Sequence, residues 1–161
     1  MSTEESMGLT HLDSKGQAHM VDVTDRAVTT RTATASGRVL LSSTVVALLR
    51  DGAVPKGDVL ATARLAGIMG AKRTPDLIPL CHPIALHGVS VDLYVVDEGV
   101  LIEVSVKTAD RTGVEMEALT AVSVAALTVI DMVKTLDPGA TITDVHIDSK
   151  DGGRNGKWER A

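Results

Sequence analysis

One segment limits the possible folds of this chain more than any other. Between Ala118 and Val133 the sequence is apolar almost throughout. The polar residues within this run are Thr120, Ser123, Thr128 and Asp131. The pattern predicts a helix from Val114 to Leu136, and a helix that is apolar on nearly every side is buried in its own domain or again in an oligomer. Any fold for this chain has to cover that helix.

The composition fits one globular domain, which we place at residues 1–161. Its 161 residues can bury a sizeable core, and hydrophobic residues make up 44% of them against 23% charged. Residues 1–10 are polar and acidic, and residues 151–161 are polar and glycine-rich. We expect both ends to be flexible.

Composition also argues against several classes of partner. A net charge of −5 and a single Trp and Tyr without Phe do not suit nucleic-acid binding by stacking. The single Cys81 leaves no disulfide or cysteine-rich zinc site, and the histidines lack metal-ligand spacing. The N-terminus has no secretory pattern, and no apolar run reaches the ~18 residues of a membrane span. We therefore expect a cytoplasmic protein, with no membrane segment and no assigned metal ligand.

Periodicity predicts the secondary structure around the apolar helix. Alternating apolar and polar residues predict an antiparallel hairpin at 89–95 and 102–106 and a third strand at 142–148, and residues 24–41 are rich in strand-forming types. Helices are predicted at 44–50 and after Pro55, with Asp58 as the N-cap of the second. Residues 74–83 contain three prolines and suit neither a regular helix nor a central strand. The fold class is α+β, most simply a ferredoxin-like antiparallel sheet packed by helices on one face.

Two charges near the end of the apolar helix are the first candidates for chemistry. Asp131 and Lys134 are three residues apart, so they share a helix face. In apolar surroundings their pKa values would depend strongly on the environment, which suits general acid–base catalysis. A structural ion pair without catalytic function explains the same spacing equally well.

Glu115 and Glu117 open the same helix. The helix dipole favours acidic residues at this position whether or not they have a function. If Glu117 and Asp131 both act on one substrate, geometry constrains the site, because fourteen residues of helix separate them by ~21 Å. Such a site would take residues from two subunits and would require an oligomer.

Basic residues form the second group of candidates. In an acidic protein, a local patch would have to bind any phosphate ester. The basic residues are Lys56, Arg64, Lys72 and Arg73 around the second helix, and Lys150, Arg154 and Lys157 near the C-terminus. Lys72 and Arg73 also suit a helix C-terminus, and Arg154 and Lys157 are more simply explained as solvated. His82 lies between prolines, where a structural role is the commoner alternative to catalysis.

Several of these residues lie in longer motifs that resemble one known family. The motifs are residues 10–12 with 19–23, 56–59 with 61–64, DLIPLCHP at 76–83, TGVEMEALTA at 112–121, and Lys150 ahead of Gly152-Gly153. The pattern resembles the cyclic pyranopterin monophosphate synthases, accessory protein C of molybdenum cofactor biosynthesis, over nearly the whole chain. One departure is Pro55, where relatives often carry His.

The resemblance implies a lyase that converts 3′,8-cyclo-7,8-dihydro-GTP to cyclic pyranopterin monophosphate with release of pyrophosphate. It implies a ferredoxin-like subunit in a homohexamer, built as a trimer of dimers with active sites at subunit interfaces. Asp131 and Lys134 match the family's catalytic pair. Lys56, His82 and Lys150 match residues that bind or polarise the substrate, and Glu115 and Glu117 match acidic pocket residues. No resident cofactor is implied, and whether Mg²⁺ accompanies the triphosphate stays open.

Two other classes of function fit parts of the sequence. A catalytically silent nucleotide-binding homologue would keep the basic residues without turning over the substrate. A structural or assembly protein would use the apolar helix only as an interface.

Overall fold

The computed structural model describes residues 11–161, so the predicted flexibility of residues 1–10 lies outside the described residues. Five strands form one antiparallel sheet: β1 (Thr29–Leu40), β2 (Gly88–Val96), β3 (Gly99–Asp110), β4 (Thr141–Asp151) and β5 (Trp158–Glu159). The helices are α1 (Ser43–Arg50), α2 (Val59–Lys72), α3 (Thr74–Leu77) and α4 (Glu115–Val133). The predicted α+β class is confirmed.

The sheet order is β2-β3-β1-β4-β5, with β1 in the middle. Along β1, the buried residues Ala33, Ala35 and Val39 alternate with less buried ones. This face packs against α4, while α2 covers β2. The helical layer therefore lies on one side of a β-α-β-β-α-β arrangement, as expected for a ferredoxin-like fold. The predicted hairpin is confirmed, with Val91 opposite Val104.

The helices begin and pack as local chemistry requires. The Asp58 side chain accepts a hydrogen bond from the Ala61 amide at 3.0 Å, which confirms the predicted N-cap of α2. A Cβ at Gly67 would lie 3.0 Å from the carbonyl oxygen of Ala121. Gly67 thus lets α2 and α4 approach closely. The two helices run antiparallel, so the N-terminus of α2 lies beside the C-terminal end of α4.

The apolar helix forms the centre of the domain. By length and composition alone α4 could cross a membrane, since it has 19 residues and a mean hydropathy of 1.7. Polar residues interrupt its sequence, however, so it contains no uninterrupted apolar run of 19 residues. Its buried residues, which include Ala118, Ala121 and Val129, belong to the core shared with the sheet and α2. These contacts are those of the core helix of a layered domain.

Two segments differ from the predictions. Residues 74–77 form one helical turn, α3, which tolerates Pro75 because the amide of a first-turn residue needs no helical partner. The C-terminal tail, predicted to be flexible, adds β5 at the sheet edge. The Arg160 amide donates to Asp148 O at 2.8 Å, and Arg160 Nε donates to Ile147 O at 2.7 Å. Backbone pairing joins the end of this tail to β4, and composition alone does not predict such pairing.

Candidate active site

The C-terminal half-site consists of Lys56, Asp131 and Lys134. Lys134 Nζ lies 2.7 Å from Asp131 Oδ1, and Lys56 Nζ lies 3.3 Å from Oδ2 of the same carboxylate. Lys56 also donates to the Asp131 backbone carbonyl at 2.9 Å. The loop before α2 brings Lys56 to this place because α2 starts beside the end of α4. Lys56, which the sequence predicts as one of several basic candidates, thereby joins the Asp131–Lys134 pair although it is distant in sequence.

The prediction that apolar residues surround Asp131 and Lys134 is wrong for the single chain. The side chains of Asp131 and Lys134 are 57% and 58% exposed, because they project from the outer side of the last turns of α4. The neighbours Met132 and Val133 instead point into the core. The Lys134 and Lys56 ammonium groups lower the pKa of Asp131, so this carboxylate stays ionised at neutral pH.

The N-terminal half-site lies at the other end of α4 and consists of Cys81, His82, Glu115, Glu117 and Lys150. Glu117 is only 2% exposed, and burial raises the pKa of its carboxyl to about 7. The Cys81 sulfur lies 3.7 Å from Glu117 Oε1. Lys150 Nζ, from β4, lies 3.5 Å from Glu115 Oε1. The half-site therefore holds a buried carboxyl that can exchange a proton near neutral pH, and next to it a second carboxylate, Glu115, that contacts an ammonium.

His82 joins the N-terminal half-site through the proline-rich segment after α3. Its Nε2 hydrogen-bonds to the backbone carbonyl of Val21. A carbonyl oxygen only accepts, so Nε2 carries the proton and Nδ1 is an acceptor when the ring is neutral. This contact ties the segment before β1 to the half-site.

A polar cleft of about 280 Å³ opens beside Glu115 and Lys150. Its cationic lining also includes Arg26, Arg31 and Arg154, and the same three arginines line an adjoining cavity of about 630 Å³. A Cβ on Gly153 would lie 2.2 Å from the Arg31 guanidinium, so the glycine loop packs directly on this arginine. Four cationic side chains against the carboxylates of Glu115 and Asp151 leave the cleft net positive in an acidic protein, so it suits an anion.

Sequence reasoning missed Arg26 and Arg31, and it assigned Arg154 to solvent. The available signal was weak: two arginines in a segment otherwise read only for its strand propensity. Their proximity to Lys150 depends on the pairing of β1 with β4, which places Ala33 opposite Lys150.

The structure does not bring Arg64, Lys72 and Arg73 into either half-site. Arg64 Nε donates to the Val91 carbonyl of β2 at 3.0 Å. Lys72 lines a separate cavity with His87, and Arg73 provides the C-cap of α2. These contacts fit the alternative of helix-end and surface roles better than a shared phosphate site.

The two half-sites lie at opposite ends of one continuous helix. From Glu117 to Asp131, α4 is unbroken, so a rise of 1.5 Å per residue separates them by ~21 Å. A small substrate cannot touch both half-sites of the same chain.

The fold and these side chains define a ferredoxin-like α+β protein with acid–base groups and a cationic cleft built around one core helix. The family model of the MoaC family matches residues 20–153. A cyclic pyranopterin monophosphate synthase of Streptomyces avermitilis is 68% identical, with 95% of this chain and 90% of that protein covered. A relative from Mycobacterium tuberculosis, cyclic pyranopterin monophosphate synthase 2, is 60% identical over 94% of this chain and 91% of its own length. A cyclic pyranopterin monophosphate synthase of Dinoroseobacter shibae is 56% identical over 94% of this chain and 98% of its own length.

The chain belongs to the MoaC family. The resemblance drawn from its motifs is confirmed.

Proposed function

We propose that this chain is a cyclic pyranopterin monophosphate synthase of molybdenum cofactor biosynthesis. The reaction converts 3′,8-cyclo-7,8-dihydro-GTP to cyclic pyranopterin monophosphate and releases pyrophosphate. The observation that carries the proposal is the pair of half-sites. Together they hold cations and the Glu117 carboxyl, which burial lets exchange a proton near neutral pH. The chain that holds them is 68% identical to a synthase of this name.

The chemistry requires two kinds of group. Closing a cyclic phosphate breaks the bond that links the α-phosphate to the leaving pyrophosphate, so cations must stabilise the negative charge on phosphate oxygens. The polar cleft supplies these cations from its lining residues Arg26, Arg31, Lys150 and Arg154. Ring rearrangement needs proton transfer, for which Glu117 and Lys134 are the groups we assign.

The roles in the C-terminal half-site follow from its contacts. Asp131 stays ionised beside two ammonium groups, so it orients Lys134 rather than donating a proton. Lys134 is then the general acid–base, and Lys56 holds the other carboxylate oxygen.

We propose that the functional assembly is a homohexamer, a trimer of dimers, in which each active site joins half-sites of two subunits. The separation of ~21 Å along α4 supports this proposal, because two half-sites that act on one substrate must then come from different chains. Leu65 and Met69 on α2 and Leu127 on α4 are each more than half exposed, which leaves an apolar outer surface on the helical layer. A second copy of the chain would cover such a surface.

The direct test is turnover of 3′,8-cyclo-7,8-dihydro-GTP by the purified protein. We expect stoichiometric release of pyrophosphate and cyclic pyranopterin monophosphate, measured by a coupled pyrophosphate assay and mass spectrometry. GTP, which lacks the additional ring-closing bond, serves as the control and should give neither product. Binding of the cyclo-nucleotide without pyrophosphate release would instead identify a catalytically silent homologue.

A further inference from the structure

Glu117 stands out among the buried groups of this protein. A carboxylate removed from water requires hydrogen bonds or a cation to remain charged. Within residues 11–161, the side-chain contact to its oxygens is the Cys81 thiol, at 3.7 Å from Oε1 and 3.9 Å from Oε2. The backbone amide of Glu117 itself also favours the ionised carboxylate and lowers its pKa. The nearby cation, Lys150, is directed at Glu115 instead.

The thiol is well placed to act as a donor. Cys81 is half-buried, and burial together with the adjacent Glu117 raises the pKa of its thiol to about 11. The sulfur therefore keeps its proton at neutral pH, and an S–H group is a weak hydrogen-bond donor. The backbone carbonyl of His82, at 3.8 Å, is a second acceptor for the same proton, but the Glu117 carboxylate is charged and accepts more strongly. The chain between Ile78 and Pro83 fixes its position, because the Cys81 amide donates to the Ile78 carbonyl at 3.1 Å.

We propose that Cys81 is a positioning residue for Glu117: its thiol donates to the buried carboxylate and lowers the pH at which that group exchanges its proton. The proposal rests on the proposed function for its catalytic meaning, but the proton exchange of Glu117 can be measured without substrate. The titratable groups that act on Glu117 are Cys81, from the loop after α3, and Glu115, on its own helix. His82 is occupied with the Val21 carbonyl.

Two substitutions at Cys81 move this pH in opposite directions. In Cys81→Ser, a hydroxyl replaces the thiol as a stronger donor and favours the ionised carboxylate, so the midpoint should fall. In Cys81→Ala the donor is lost and the midpoint should rise. We expect each change to be up to about one pH unit, the range covered by one neutral hydrogen bond.

The primary measurement is carboxyl ¹³C NMR titration of the assembled protein with labelled glutamate, with Glu117→Gln used to assign the resonance. The same variants are then compared in the pH profile of kcat/KM, where the limb that Glu117→Gln removes should shift in parallel. Opposite displacements by Ser and Ala would support the proposal, because a packing effect alone does not change sign with donor strength. Should Cys81→Ala not fold, Cys81→Val keeps the volume while lacking the donor.

Equal midpoints in the wild type and both variants, or displacements in the same direction, would overturn the role of Cys81. Failure of the proposed function has a different signature. In that case the NMR midpoints still separate, while no variant and no wild-type protein releases pyrophosphate from the cyclo-nucleotide.

Discussion

Lys134→Ala should lower kcat for pyrophosphate release by about 10²- to 10⁴-fold, the usual contribution of a positioned general acid–base. The side chain is 58% exposed and pairs with Asp131 at 2.7 Å on the surface, so its removal should leave the fold intact. Steady-state assays, with size-exclusion chromatography and light scattering to verify the assembly, give the result. A rate close to that of the wild type would exclude Lys134 from proton transfer.

Arg50→Ala is a matched control for this substitution. Arg50 also forms an exposed ion pair of 2.7 Å, with Asp97, and it belongs to neither half-site. Its rate should remain that of the wild type.

Lys134→Arg separates charge from proton transfer, because a guanidinium stays protonated at accessible pH. Recovery of activity in Lys134→Arg would show that the residue supplies charge alone.

Gly99→Ala should destabilise the protein by about 3 kcal/mol or more, from backbone strain and forced displacement together. Gly99 begins β3 with a φ of +149°, and a Cβ there would lie 1.8 Å from the backbone carbonyl oxygen of Val39. Val39 is in β1, the central strand, so the sheet itself would have to move. Urea unfolding followed by circular dichroism measures the loss as a lower midpoint.

Gly88→Ala, at the start of the partner strand β2, provides the comparison. Its Cβ would meet Lys107 Cβ at 3.8 Å, an ordinary contact, and its φ is not in the left-handed region. This change should be neutral or stabilising by up to ~1 kcal/mol, because it reduces the entropy of the unfolded chain. Equal midpoints for the two variants would show that the close approach at Gly99 is not rigid.

Local sequence signals account for much of the fold. The alternation around Val91 and Val104 predicts the hairpin because side chains of a strand point to opposite faces. Asp58 ahead of an apolar helical period predicts the start of α2. The strand at Trp158–Glu159 was not predictable in this way, since its stability comes from pairing with β4.

The candidate site was likewise predictable from the sequence only in part. The family motifs contain Glu117 and His82, and the spacing on the apolar helix points to Asp131 and Lys134. The exposure of Asp131 and Lys134 depends on which side of α4 faces the core. A run of apolar neighbours in sequence does not determine that orientation. Likewise, Arg31 and Lys150 are distant in the chain and line one cleft only because β1 and β4 are adjacent.

Activity of mixed oligomers tests the composite site most directly. Lys134→Ala inactivates the C-terminal half-site and Glu117→Gln the N-terminal half-site, so each homo-oligomer should be inactive. When the two variants are co-expressed and assemble at random in equal amounts, sites that join two subunits should recover about a quarter of the wild-type activity. If tagged, co-purified mixed oligomers remain as inactive as either variant alone, the two half-sites do not combine across an interface.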